Sequence, residues 1–276
     1  MNGAQAAVLS AAPRLDLRAA VAAAPLALPG LEQVPLADRT LAKEYWGVHM
    51  VAEFASARVF AGLVPQLMAA SLPFETVREV VEMSKQELDH GLLSARVYAA
   101  LGGVPDLALP ELAAVPDHAG CSPLEVVLRN VIAIACCGET VAVAVVGGER
   151  ERTTIAPLHQ ILTTILADEV GHSRFGWRLL RDVASAIDGE LARRLSAYLV
   201  AIFERDLRVT LAGAQSGAVS WAALSLGAHD GPLHSSTVIE TFETVTVPGL
   251  ARHGLQAEWA YNQARKRVGL EAVQLA

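Results

Sequence analysis

The sequence predicts an all-α protein built around a bundle of four long helices. Alanine, leucine and valine dominate the composition while aromatic residues make up only 5%, a mixture that favours packed helices over a sandwich or barrel. Several long stretches carry apolar residues at helical spacing, and proline and glycine clusters separate them. The chain has 276 residues, of which 53% are hydrophobic and 18% charged, so it can bury a large core.

The first two helices are predicted over residues 38–70 and 74–101. Pro73 lies just before the second helix and Gly102 just after it, which are the positions that each residue type favours at helix ends. Because the turn between the two helices is short, we expect them to be antiparallel neighbours.

The third and fourth helices are predicted after a long connection. Residues 102–122 contain several prolines, and a segment of this length and composition is typical of a crossover that runs along a bundle between its second and third helices. Ser122 has the sequence context of an N-cap. The third helix is predicted to end at about Val146, before two glycines, and the fourth to span residues 153–187.

Further helices are expected after the bundle. A fifth is predicted over residues 190–213, and the tail 217–268 predicts two or three shorter helices with breaks at Gly227–Pro232 and Pro248-Gly249.

The chain carries no sign of an internal domain boundary. Residues 1–35, rich in alanine and proline, predict a largely irregular N-terminal arm with at most a short helix. The remainder, 36–268, predicts a single domain that consists of a bundle at about 38–187 and extra helices at about 190–268.

Charge and composition exclude several classes of function. The net charge is −7 without a long basic run, so no nucleic-acid partner is expected. Three cysteines without a C-x-x-C pair provide neither a disulfide framework nor an iron–sulfur site. The most membrane-like stretch, Val126–Gly148, carries Arg129, Asn130 and Glu139, which favours a buried bundle helix. We therefore expect no membrane association and a cytoplasmic location.

Two Glu-x-x-His pairs, Glu87/His90 and Glu169/His172, are the most informative motifs. A Glu and a His three residues apart lie on one face of a helix, where both can bind the same metal ion. A random order of these residues would give roughly half a match, so the pairs alone prove little. Their helical, apolar surroundings carry the argument.

A lone glutamate precedes each pair in another apolar helix. Glu53 lies 34 residues before Glu87, and Glu139 lies 30 residues before Glu169. An ionised carboxylate in such surroundings is strongly penalised unless it is paired or binds a metal. Glu53 is preferred over Glu44, which lies near the helix start, where a glutamate is favourable in itself. The alternative is that these residues are salt-bridged or exposed on amphipathic helices.

Together these residues form the ligand pattern of a bundle that binds two metal ions. The segments 87–90 and 168–177 resemble the metal-binding helices of ferritin-like di-iron carboxylate proteins, and the resemblance covers about residues 40–187. That superfamily includes bacterioferritins, rubrerythrins, di-iron mono-oxygenase hydroxylases, acyl desaturases and ribonucleotide reductase small subunits. The resemblance implies a ferritin-like four-helix bundle whose metal ligands are Glu53 and Glu139 as terminal carboxylates, Glu87 and Glu169 as bridges, and His90 and His172.

The resemblance also implies supporting hydrogen bonds. Asp168 matches the position that bonds the opposite histidine, His90. The corresponding residue in the first pair is Gln86, where many members carry Asp, so the partner of His172 stays open.

Apolar residues near the motifs predict a dry site. Six residues are candidates for lining a pocket: His49, Met50, Phe60, Cys136, Val143 and Ile165. A dry cavity suits activation of dioxygen beside an organic substrate. The alternative is ordinary core packing.

Specific members of the superfamily are disfavoured. Ser94 occupies the position of the radical tyrosine of ribonucleotide reductase, and Ile165 that of a third histidine of N-oxygenases. A rubrerythrin would bring a C-x-x-C domain, which is absent from the sequence.

The favoured function is a dioxygen-dependent di-iron oxidase or oxygenase that acts on a small organic substrate. It would use two iron ions, with manganese or a mixed Mn/Fe centre as alternatives, O2 as co-substrate, and electrons from an external donor or reductase. A homodimer is possible in this reading. The alternatives are a ferroxidase, peroxide-handling or iron-handling protein, and a metal-free binding protein of the same fold.

Overall fold

A computed structural model describes residues 13–111 and 114–271, and within them it confirms the all-α class. A short strand and a short helix come first, β1 (Arg14–Asp16) and α1 (Arg18–Ala23). The four long helices of the bundle follow: α2 (Leu36–Ala69), α3 (Phe74–Ala100), α4 (Pro123–Arg152) and α5 (Ala156–Asp182).

The bundle consists of two helix pairs. α2 packs along α3, and α4 packs along α5, as the short loops within each pair predict. Contacts of α3 with α5 and of α2 with α4 join the pairs. Large side chains such as Trp46, Phe60 and Phe175 fill the interior at 1% exposure or less. Side chains therefore fill the space between the four helices.

Helix α4 begins as predicted but ends later. The Ser122 hydroxyl accepts a hydrogen bond from the Glu125 N–H at 3.3 Å, which caps the helix. The predicted end near Val146 was wrong, because the helix runs through both glycines to Arg152. Val146 and Glu149 are buried against neighbouring helices, and this packing outweighs the cost of about 1 kcal/mol for each glycine in a helix.

The middle of α4, Ile132–Glu139, is π-helical. Such a segment adds residues relative to regular helical spacing and is frequent at functional sites. Glu139 lies at its end, so the π segment sets the direction of this side chain.

The C-terminal helices form a layer on the bundle, mostly over the second pair. They are α6 (Gly189–Gly213), α7 (Trp221–Ser225), α8 (231–252) and α9 (Ala257–Arg267). α9 packs on α6, and α8 packs on both α4 and α6. The break predicted at Gly227–Pro232 is present, and Asp230 caps α8 there.

The break predicted at Pro248-Gly249 was wrong. α8 continues through this point, directly after a second π-helical segment, Phe242–Thr246. A proline in a regular helix clashes with the carbonyl group one turn earlier. The wider π turn relieves that clash and lets the helix continue.

The crossover is partly ordered by the N-terminal segment. β1 pairs antiparallel with β2 (Asp106–Ala108), with Leu15 opposite Leu107. The Arg14 guanidinium also bonds the Asp106 carboxylate at 2.8 Å. The sequence did not predict this sheet. The first twelve residues of the predicted N-terminal arm lie outside the described residues.

Within residues 13–111 and 114–271, two helices, α2 and α4, are long and apolar enough to cross a membrane by length and composition alone. This is weak evidence, because core helices of bundles share both properties. Each of the two carries a buried glutamate and packs against other helices. The cytoplasmic location stays a prediction.

Candidate metal centre

The structure brings all six predicted ligand residues together between the four helices. Each is buried, at 9% exposure or less. α2 supplies one glutamate, α4 another, and α3 and α5 each supply one Glu-x-x-His pair.

The six side chains form two overlapping groups. Within each group, one potential ligand atom per residue lies within 4.8 Å of the others. The first group is Glu53, Glu87, His90 and Glu169; the second is Glu87, Glu139, Glu169 and His172. Glu87 and Glu169 belong to both groups. This arrangement fits two cations that share two carboxylates.

Hydrogen bonds orient both imidazole rings. His90 Nε2 lies 3.1 Å from Asp168 Oδ2, and His172 Nε2 lies 2.9 Å from Gln86 Oε1. Gln86 also donates from its Nε2 to Asp168 Oδ1 at 3.1 Å, which fixes the orientation of its amide. Both histidines therefore face an acceptor oxygen at Nε2 and donate from that nitrogen. Their Nδ1 lone pairs point at the carboxylates.

The Nδ1 atoms lie among carboxylate oxygens. His172 Nδ1 is 3.0 Å from Glu87, and His90 Nδ1 is 3.2 Å from Glu169. Neither nitrogen makes a hydrogen bond of acceptable geometry, nor does Oε1 of Glu87 or Oε2 of Glu169. Buried polar atoms without partners are costly. Imidazole nitrogens and carboxylate oxygens of this kind suit iron, manganese and related ions, so the donor set fits the predicted pair of metals.

The positively charged groups of the protein do not balance the negative charges of all four glutamates, so some of these glutamates hold protons. Burial, followed by the charges of Glu169 and Glu53, raises the pKa of Glu87 to about 11. Burial and the neighbouring Glu169 also raise the pKa of Glu139 far above its usual range. Burial acts against ionisation of Glu169 too, but the imidazoles of His172 and His90, whose Nδ1 atoms lie 3.4 and 3.2 Å from its oxygens, outweigh burial and lower the pKa of that carboxyl. Cations bound here would displace the held protons.

Gly176 lets two helices approach closely at the site, whereas Gly91 leaves room for a Cβ at ordinary van der Waals distance. A Cβ at Gly176 on α5 would lie 2.8 Å from both the Cβ of Ala135 and the Sγ of Cys136. A Cβ at Gly91 on α3 would lie 3.7 Å from that of Glu53. The tight approach at Gly176 brings the π segment of α4, and with it Glu139, against α5.

His49 lies beside the first group. Its Nδ1 is 3.0 Å from Glu53 Oε1 and 3.3 Å from the Ser94 hydroxyl. Burial works against the charged imidazole, but Glu53 outweighs it and raises the pKa of His49 to about 9. The imidazolium in turn keeps the pKa of Glu53 low despite its burial.

A second polar cluster lies next to His49. The Tyr45 hydroxyl donates to Glu149 Oε1 at 2.7 Å, and burial raises the pKa of Glu149. Glu149 lines a small cavity together with Arg152 and His234. Sequence reasoning missed this cluster, because it ended the helix before Glu149. The signal in the sequence was Glu149 itself, which is one more carboxylate on an apolar helix.

The pocket predicted to be lined by six residues stays a prediction. Met50, Phe60, Cys136 and Ile165 are fully buried but belong to four separate apolar clusters. Val143 is only half-buried. Among them, Phe60 contacts a candidate ligand, with its ring centroid 5.3 Å from that of His172.

Comparison with known proteins supports the fold. No family model matches the chain, and no curated protein sequence matches it. Among solved structures, the chain resembles Protein 19 with aldehyde deformylating oxidase activity from Synechococcus, with a TM-score of 0.58 and 19% sequence identity. The likeness covers 83% of this chain and 97% of that chain. The fold is therefore a ferritin-like all-α bundle, which confirms the predicted class.

Proposed function

We propose that this protein is a dioxygen-dependent oxidase or oxygenase of a small organic substrate, with two metal ions, iron by preference, held by the six buried residues. The observation that carries the proposal is the pair of four-residue groups sharing Glu87 and Glu169. The aldehyde deformylating oxidase activity of the Synechococcus protein supports it and makes aldehydes the first substrate class to test.

The chain's own residues prepare the site for this chemistry. Asp168 and Gln86 accept hydrogen bonds from the Nε2–H groups of the two histidines. The Nδ1 atoms of both histidines therefore face the interior of the site. Burial of the carboxylates excludes water and strengthens their interaction with a cation. Bound iron would supply the redox chemistry with dioxygen.

Metal analysis is the first experiment. The protein loaded with Fe(II) without oxygen is expected to hold about two ions per chain. Glu139→Ala should lower this content, while Glu151→Ala, an exposed residue on the same helix, should leave it unchanged. A wild-type chain that binds no metal, or equal contents in both variants, would contradict the proposed centre.

Oxygen uptake then distinguishes the functions. A panel of aldehydes is added to the loaded, reduced protein, and oxygen consumption and organic products are followed by electrode and mass spectrometry. Substrate-dependent uptake with an oxidised or shortened product is expected. Rapid turnover of many Fe(II) equivalents into mineral, without effect of any organic compound, would instead support an iron-handling protein.

A further inference from the structure

An open cleft on the outer face of α5 carries positive charge. Its volume is about 390 Å³, and its lining consists of Arg174, Trp177, Arg178, Arg181 and His253. The four residues on α5 follow helical spacing and form one stripe. The lining includes no acidic side chain, although the chain as a whole has a net charge of −7.

The arginines are only partly neutralised. Arg178 pairs with Glu79 and Arg181 with Asp182, and the side chains of these two arginines remain 40% and 68% exposed. Arg174 is exposed and has no ion pair within residues 13–111 and 114–271. The cleft thus offers guanidinium groups to an acidic partner.

Trp177 connects this cleft to the candidate metal centre. Its indole stacks on the His253 ring at 6.3 Å, and its Nε1–H donates to the Thr140 hydroxyl at 3.3 Å. The Thr140 and Ser173 hydroxyls are 2.8 Å apart. Thr140 directly follows Glu139, and Ser173 directly follows His172. One indole and one pair of hydroxyls therefore separate the cleft from two candidate ligands.

We propose that the cleft docks a small acidic electron-carrier protein, and that Trp177 positions the route by which its electrons reach the site. The inference rests on the proposed function, which needs an external donor. Opposite charges speed the encounter of two proteins and orient them. Each carrier molecule gives up one electron and is itself oxidised, so two encounters would supply the two electrons that a pair of Fe(III) ions held by the six residues would need to become Fe(II).

Binding is tested with a reduced or oxidised plant-type [2Fe–2S] ferredoxin as the acidic probe and the full chain, with or without metal. The triple variant R174E/R178E/R181E is expected to bind at least about tenfold more weakly. R193E/R208E/R267E is the matched control. It makes the same change in charge at three exposed arginines on α6 and α9, each of which forms an ion pair with a glutamate. This control should bind nearly as wild type.

Two further binding measurements make the result decisive. R174E alone breaks no ion pair, so a weaker but measurable loss is expected even if the triple variant is unstable. Wild-type binding should weaken with added sodium chloride. Equal loss in the two triple variants, or no binding by wild type, overturns the proposal. Inorganic phosphate that competes far beyond chloride of equal ionic strength would identify a phosphate site instead and also overturn it.

The role of Trp177 has a separate readout. In the iron-loaded protein, the rate of reduction by ferredoxin is divided by the rate with a small uncharged reductant. Trp177→Phe should lower this ratio, while Trp259→Phe, an exposed indole on α9, should not. An unchanged ratio for Trp177→Phe overturns this part. Should the chain bind no metal, the proposed function fails, yet the ferredoxin binding experiment still decides the docking surface.

Discussion

The two helix pairs supply the same ligand types but surround them differently. In the α2–α3 pair, the imidazole of His49 lies 3.0 Å from Glu53 and keeps the pKa of that carboxyl low. In the α4–α5 pair, Glu139 sits at the end of a π-helical segment, and burial raises its pKa far above the usual range. One lone glutamate is therefore ionised before any cation binds, and the other is not.

The supporting hydrogen bonds differ in the same way. His90 faces the carboxylate of Asp168, whereas His172 faces the neutral amide of Gln86. A carboxylate partner makes an imidazole a stronger ligand than an amide does. The group with Glu53 and His90 should therefore bind its cation first and more tightly. A sequence pattern with near twofold symmetry thus gives two groups of side chains with unequal surroundings.

Removing a shared carboxylate is expected to have the largest effect. Glu169→Ala takes one donor from each group and should abolish binding of both ions, whereas Glu139→Ala takes one donor from the second group only. Metal content of about two ions should fall to near zero in the first variant and to about one in the second. Equal contents in the two variants would show that the carboxylate is not shared.

The pH dependence of the metal-free protein comes next. Glu87 and Glu139 hold protons in the folded state. At a pH above 4.5, the ordinary pKa of a glutamate, each releases its proton when the chain unfolds. A carboxyl group whose pKa is raised by folding stabilises the folded protein fully below about pH 4.5. This stabilisation is lost as the pH rises towards the pKa of the group in the folded protein. Each group can lower the free energy of unfolding by up to about 1.4 kcal/mol per pH unit.

Urea unfolding between pH 6 and pH 8 measures this slope. The metal-free chain should lose stability over the interval, and the loaded chain should lose much less, because the cations have already displaced the protons. The variant Glu87→Gln removes a titrating group and should flatten the metal-free curve. A metal-free protein that becomes more stable over this range would contradict the assigned protonation.

The hydrogen bonds to the histidines allow a direct test of the asymmetry. Asp168→Ala should weaken metal affinity by roughly 10–100-fold and Gln86→Ala by less, since loss of such partners typically costs this much. Titration with Fe(II) or Mn(II) measures both. Gln86→Asp should tighten the second site. The asymmetry would be refuted by a larger loss in Gln86→Ala than in Asp168→Ala.

The close approach of α4 to α5 should give the smallest effect. Gly176→Ala places a methyl group 2.8 Å from Ala135 and Cys136, a clash that typically costs about 1–3 kcal/mol, partly offset by the better helix propensity of alanine. Gly171→Ala on the same helix meets nothing within 4 Å and should be neutral or stabilising. Thermal unfolding of the two variants measures the difference. Equal midpoints would show that the interface between α4 and α5 accommodates the methyl group without loss of stability.

Much of this architecture was predictable from local sequence signals. Helical spacing, the Ser122 cap and the Pro73 boundary act over a few residues, so they located the bundle helices within a few positions. The same local rules failed at Gly147 and at Pro248, where α4 and α8 continue. Packing against distant helices and a π-helical turn overrode the local preference there.

The sequence by itself determined the helices and the residue types of the site, because spacing along a helix places Glu and His on one face. Only the tertiary structure decided that Gln86 accepts the hydrogen bond of His172 and that Trp177 donates to Thr140. Such contacts join residues more than 30 positions apart. Their distances depend on how closely whole helices approach, which no local pattern encodes.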